Sequence, residues 1–195
     1  MPERLAGLRA AAASGAAPRL AGELRALFER IAERPDKVQW VQRALAADLP
    51  GEPDAALARA CAAVAAAIDA EPATFDRLGY HNRQHFCEVA LTAHGLCLLN
   101  RLGTVATQLV HLAALVHDVV HEGIPQPAFA QERASVEHVR PLLRAAGVSN
   151  AQVERLMALV LATAPGPGTA FMAAACDAHV GPVKGLPAGT SAGGP

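Results

Sequence analysis

The sequence predicts an all-α fold, a single-domain helical bundle, on three observations. Apolar residues recur at intervals of three and four along most of the chain, which is the helical period. Alternating runs rich in Val, Ile and Thr, which strands would need, are missing. The breaks between periodic stretches fall at Pro, Gly or capping residues. With 195 residues, 52% of them hydrophobic, the chain is long enough to bury one substantial core.

Residues 3 to 13 and 18 to 33 read as N-terminal helices. The second carries Leu20, Leu24, Leu27, Phe28 and Ile31 on one face and is ended by Pro35. They form a segment, 1–36, ahead of the main helical domain at 37–178. In that domain "KVQWVQRALAADL" and "PDAALARACAAVAAAIDA" are helices divided by the Pro-Gly-Glu-Pro punctuation at 50 to 53. Trp40, the sole tryptophan, reads as a core anchor. Asn82 is the expected N-cap of a helix with Phe86, Val89, Ala93 and Leu96 on one face, and Gly103 closes it. Thr104 is expected to cap a helix through "QLVHLAALVHDVVHE" that stops at Gly123. A further helix covers about 128 to 146, bent at Pro141 and ended by Gly147. Ser149 and Gln152 form an S-x-x-Q capping box for "NAQVERLMALVLATA", which "PGPG" at 165 to 168 breaks. A last helix is expected at 169 to 178, and the Gly/Pro/Ala run 179–195 reads as a flexible tail.

Composition narrows the partners. Seventeen Lys and Arg against eighteen Asp and Glu give a net charge of -1, which provides no broad field to hold a nucleic-acid polymer or an anionic membrane. Recognition of a phosphate must therefore be local. Cys61, Cys87, Cys97 and Cys176 show no C-x-x-C spacing and lie among apolar neighbours, as packed free thiols do, so a reducing cytoplasm is the expected compartment. The opening "MPERLAGLRAAAASGAAPRL" lacks the uninterrupted apolar run of a secretory signal. No segment reaches the ~18 uncharged apolar residues of a membrane span.

The chemistry collects around "LVHDVVHEG", 115 to 123. His117 and His121 have the spacing of a zinc-protease H-E-x-x-H, with Asp118 in the glutamate's place. Asp118 is one methylene short of that base's reach, however, and no downstream third ligand stands out. A second reading pairs adjacent His117 and Asp118 with a ligand from another helix. The helices on either side of the turn at 100 to 103 must be antiparallel neighbours. At about 1.5 Å of rise per residue, His85 lies roughly 22 Å before the turn and His117-Asp118 roughly 21 Å after it, so all three reach one level. Asp118 sits inside the apolar run "LAALVHDVV", where an unpaired buried carboxylate is costly and a cation explains it. Such a mixed N/O site suits Mn, Fe, Co, Zn or Mg, as one ion or two. Unpaired carbonyls at the helix end favour a cation there as well. His94, His111, His138 and His179 read as core or surface histidines.

"YHNRQH" at 80 to 85, followed after about thirty residues by "LAALVHDVVHEG", resembles the HD-domain superfamily of metal-dependent phosphohydrolases. The likeness is to its bacterial phosphohydrolase branch and, more distantly, to cyclic-nucleotide phosphodiesterases. It spans about 75 to 178, with "QERAS" at 131 to 135 echoing a family segment. The resemblance implies the HD type of bundle and metal ligands His85, His117, Asp118 and Asp177. It implies hydrolysis of a small phosphoester, a nucleotide among the candidates, by a metal-activated water, with Asp118 orienting or bridging. His81 matches the family's proton donor, and His121 and Glu132 match positions that orient ligands or waters. Arg83, from its position alone, is expected to touch the substrate phosphate.

Family members continue past the last aspartate with a helical segment over the site, whereas this chain reaches only its Gly/Pro tail. Closure by another copy in a homo-oligomer would supply that cover. Two rival functions remain in view: di-iron oxygenase chemistry, which HD scaffolds also support, and a non-catalytic module that holds metal or ligand.

Overall fold

Local signals in the sequence account for most of the helix boundaries in the computed structural model, which describes residues 5–124, 126–166 and 168. The described chain is all-helical: α1 (Ala6–Ala13), α2 (Ala17–Ile31), α3 (Lys37–Ala47), α4 (Ala55–Ala70), α5 (Pro72–Phe75), α6 (Arg83–Leu99), α7 (Thr104–Val116), α8 (Ala130–Ala145) and α9 (Asn150–Leu161). Asp54 caps α4 by accepting the amides of Ala56 and Leu57. Asn82 caps α6 through the amide of His85 at 3.1 Å, and Ser149 and Gln152 form the expected capping box. Gly147 takes a φ of 79° after α8, a turn that most side chains resist.

Helix α7 is the centre of the molecule. It packs against α4, α6, α8 and α9, while α1 and α2 lie over α6, and α3 lies against α4 and α6. Nearly its whole circumference is buried, including the polar Thr107, Gln108 and His111, so its apolar pattern runs round the helix rather than along one face. The Gln108 side chain accepts the Asp54 amide and donates to the Asp54 carbonyl. Gln152 donates to the Asp54 carboxylate, which ties the start of α4 to α7 and α9. Cys61, Cys87 and Cys97 are buried free thiols.

Several boundaries differ from expectation. The last turn of the expected 104 to 121 helix is missing, because α7 stops at Val116 and the chain turns through 117 to 120. Gly103 rather than Thr104 occupies the N-cap, and no side-chain cap bond forms there. The four-residue α5 carries no periodicity long enough to be read. Pro141 lies inside α8. The expected helix 169 to 178, the tail 179–195, and Asp177, Cys176 and His179 lie outside the described residues. No helix among the described residues is long and apolar enough to cross a membrane.

Candidate metal centre

The short turn between α6 and α7 brings His85 level with the end of α7. His85 Nε2 stands 3.3 Å from His117 Nε2 and 3.3 Å from Asp118 Oδ2, and His117 Nε2 is 3.1 Å from the same carboxylate oxygen. Donors about 2.1 Å from one ion stand about 3.0 Å apart at octahedral angles and about 3.4 Å apart at tetrahedral ones. The three mutual distances fall within that interval, so His85, His117 and Asp118 can hold a metal ion. The His117 ring is already oriented for it. Its Nδ1–H donates to the Ala114 carbonyl at 3.0 Å, which leaves the Nε2 lone pair facing the other two donors.

The early stop of α7 is what turns Asp118 into this position. In a continued α-helix the His117 carbonyl would accept the amide of residue 121, and the Val120 amide would donate to Val116. Instead Ser135 of α8, fully buried, donates its hydroxyl to the His117 carbonyl at 3.2 Å and accepts the Val120 amide at 3.4 Å. The displaced backbone groups close three-residue turns, Val119 to Val116 and His121 to Asp118. This also disposes of the H-x-x-x-H reading, since His117 and His121 do not share a helix.

A second group consists of His81, Asp118 and His121. His81 Nδ1–H donates to Asp118 Oδ2 at 2.6 Å, and the His81 and His121 rings stack in parallel at 3.6 Å. His121 Nδ1 accepts the Gly123 amide at 3.0 Å, so a neutral His121 carries its proton on Nε2. Hydrogen bonds on these two rings therefore suit proton handling better than ligation. Burial alone would push the Asp118 carboxyl up. The imidazoles of His117, His85 and His81 outweigh it and hold that carboxyl far below the usual carboxylate range. Burial and then the neighbouring His81 push His121 below the usual histidine range, against the pull of Asp118 and Glu132.

Two cavities open onto these residues. The larger, about 810 Å³, is lined by His85, His117, Phe129 and Glu132 among others, with Tyr80 and Ile124 exposed at its edge. The smaller, about 430 Å³, lies between α4, α5, α8 and the turn after α7. Glu132, in the first turn of α8, thus reaches the wall of the larger cavity.

Arg83, expected at the substrate phosphate, is engaged by other groups of the chain. Its guanidinium is turned away from both cavities and bound by Asp76 at 2.6 and 2.8 Å, the Pro35 carbonyl at 2.8 Å and Asp69 at 3.4 Å. It clamps the start of α6 to the chain around it and lines neither cavity. Ser135 is a further site residue that the sequence does not single out; its place in "QERAS", three residues after Glu132, is the signal available for it.

A further cluster joins His94 and His111, two of the four histidines read as core or surface residues. His94 Nε2 meets Asp48 at 2.9 Å, His94 Nδ1 meets His111 Nε2 at 3.1 Å, and Arg9 pairs with the other Asp48 oxygen. Both His94 nitrogens are taken up, so the cluster is a polar tie between helices.

No family model, curated protein or solved structure matches the chain.

Proposed function

We propose that the chain is a metal-dependent phosphohydrolase of the HD type, acting on a small phosphoester with a divalent ion held by His85, His117 and Asp118. The observation that carries the reading is the mutual spacing of those three donor atoms, 3.1 to 3.3 Å, contributed by α6 and by the turn that ends α7 and facing a cavity of about 810 Å³. A divalent ion there supplies Lewis-acid polarisation of the phosphoryl group and an activated water.

The chain's own residues supply the rest. Asp118 stays ionised at neutral pH, as a ligand must. Its Oδ2 also accepts His81 Nδ1–H, which orients the ring so that His81 Nε2 delivers a proton to the departing oxygen. The His121 Nε2–H offers a hydrogen bond beside it. Ser135 keeps the His117 backbone, and with it the adjacent carboxylate, in place.

The test is elemental analysis of the purified protein, then a phosphoester panel with Mn, Mg, Co and Zn added in turn. The expected result is stoichiometric metal, phosphate release, and loss of the metal in Asp118→Ala. A metal-free wild type that cannot be reloaded overturns the reading. Bound iron with oxygen uptake and no phosphate release moves the chain to oxidative chemistry, and bound metal with no turnover on any ester makes it a binding module.

A further inference from the structure

The two cavities meet at a shared wall. His81, Asp118 and His121 line both, whereas His85 and His117 line only the larger. The stacked imidazoles of His81 and His121 therefore stand between the side that carries the candidate metal ligands and the smaller cavity of about 430 Å³. That volume is within the ~300–1,000 Å³ of ordinary small-molecule pockets. Its accessible apolar lining includes Phe75, Leu78, Val119 and Leu142, all half-buried, while Val64, Ile68 and Val139 are buried in the core. Its polar residues Glu71, Thr74, Arg77 and His138 are exposed at the rim, and His81, Asp118 and His121 are half-buried in the wall it shares with the larger cavity.

We infer that the smaller cavity receives the departing alcohol of the phosphoester and that this alcohol is apolar, an alkyl or aryl group. The inference rests on the hydrolase reading above and names the substrate class for it. In phosphoryl transfer the attacking and leaving oxygens lie roughly in line on opposite sides of phosphorus. With His85 and His117 on the side of the larger cavity, the leaving group points past His81 towards the smaller one. Water adds to phosphorus, and the bond from phosphorus to the alcohol oxygen breaks with its electron pair left on that oxygen. The oxygen takes a proton from His81, releasing free alcohol; the attacking water leaves its oxygen and one hydrogen on the phosphate product, and its other proton restores His81 through solvent. The apolar lining selects what can occupy the far side. A nucleobase or sugar pressed against Phe75, Leu78, Val119 and Leu142 would leave its donors and acceptors on that face unpaired, which is disfavoured, while an alkyl or aryl body loses nothing there and leaves water.

The experiment uses the full chain and two readouts. Phenyl phosphate and hexyl phosphate are compared with ribose 5-phosphate and a nucleoside monophosphate on metal-loaded protein. Binding of phenol and hexanol alone is followed by NMR shifts in the absence of metal. The expected result is at least a tenfold higher kcat/KM for the apolar esters. Alcohol binding should be saturable, and Ala67→Trp at the cavity edge should abolish both with metal content unchanged; Leu142→Phe is a second filling variant should the first fail to fold. Phosphate release with no apolar preference and no alcohol binding overturns the inference and leaves the hydrolase reading standing. Alcohol binding with no phosphate released from any ester overturns the hydrolase reading and, with it, the leaving-group assignment.

Discussion

Arg83 and His85 are two residues apart on α6, and a helix sends side chains at that spacing to different faces. One clamps the fold and the other meets His117. Truncating Arg83 takes the guanidinium from Asp76 and from the buried Asp69, which keeps only the amides of Val38 and Gln39. Arg83→Ala is therefore expected to cost about 2–4 kcal/mol in urea unfolding, somewhat below a fully buried pair because Asp76 is partly exposed. Calorimetric titration of metal-loaded protein with inorganic phosphate should give the wild-type affinity; a tenfold loss would return Arg83 to the substrate. The clamp was illegible because its partners, Asp69 and Asp76, sit beyond a stretch with no periodicity to place them. Asp118 was legible for the opposite reason: an acid within an apolar run has to be paired, and its neighbours along the chain offered only the imidazoles of His117 and His121.

Among the elements, the α6–α7 pair was the most readable part of the chain. A short turn makes its helices neighbours, and equal rise on either side brings His85 and His117 together without knowledge of anything else. The end of α7 was not readable, since the group that interrupts its ladder belongs to α8, many residues away. Ser135→Ala removes both hydroxyl bonds at this point. It is expected to lower stability by about 1–3 kcal/mol and to weaken metal binding about tenfold or more, measured by thermal unfolding and by titration with Zn or Mn. Unchanged metal affinity in a destabilised variant would reduce Ser135 to packing alone. Helix α5 escaped notice because four residues cannot display a period.

Across the whole molecule, the cluster of Arg9, Asp48, His94 and His111 links α1, the end of α3, α6 and α7. Burial foremost, helped by Arg9, pushes His94 down to about 4. Burial, and then His94 itself, push His111 down to about 3. Unfolded imidazoles titrate near ~6.5, so below that pH the unfolded chain binds more protons than the folded one. Stability is fully present above about pH 6.5 and falls as the pH drops towards about 4. Urea midpoints of metal-free protein should decline between pH 7.5 and 5, and His94→Gln with His111→Gln should flatten the decline. A double variant with the wild-type profile would contradict this. Each histidine taken singly looked like an ordinary core residue. Only the packing of four separated segments reveals the chain they form.

The same two rods are thus pinned to each other twice, by imidazoles of His85 and His117 at one height and of His94 and His111 at another, roughly 9–14 Å along the axis. A single pin would let one rod pivot about it. Two pins forbid both rolling and sliding, so the far one lends the cation seat a stiffness that its own ligands do not supply.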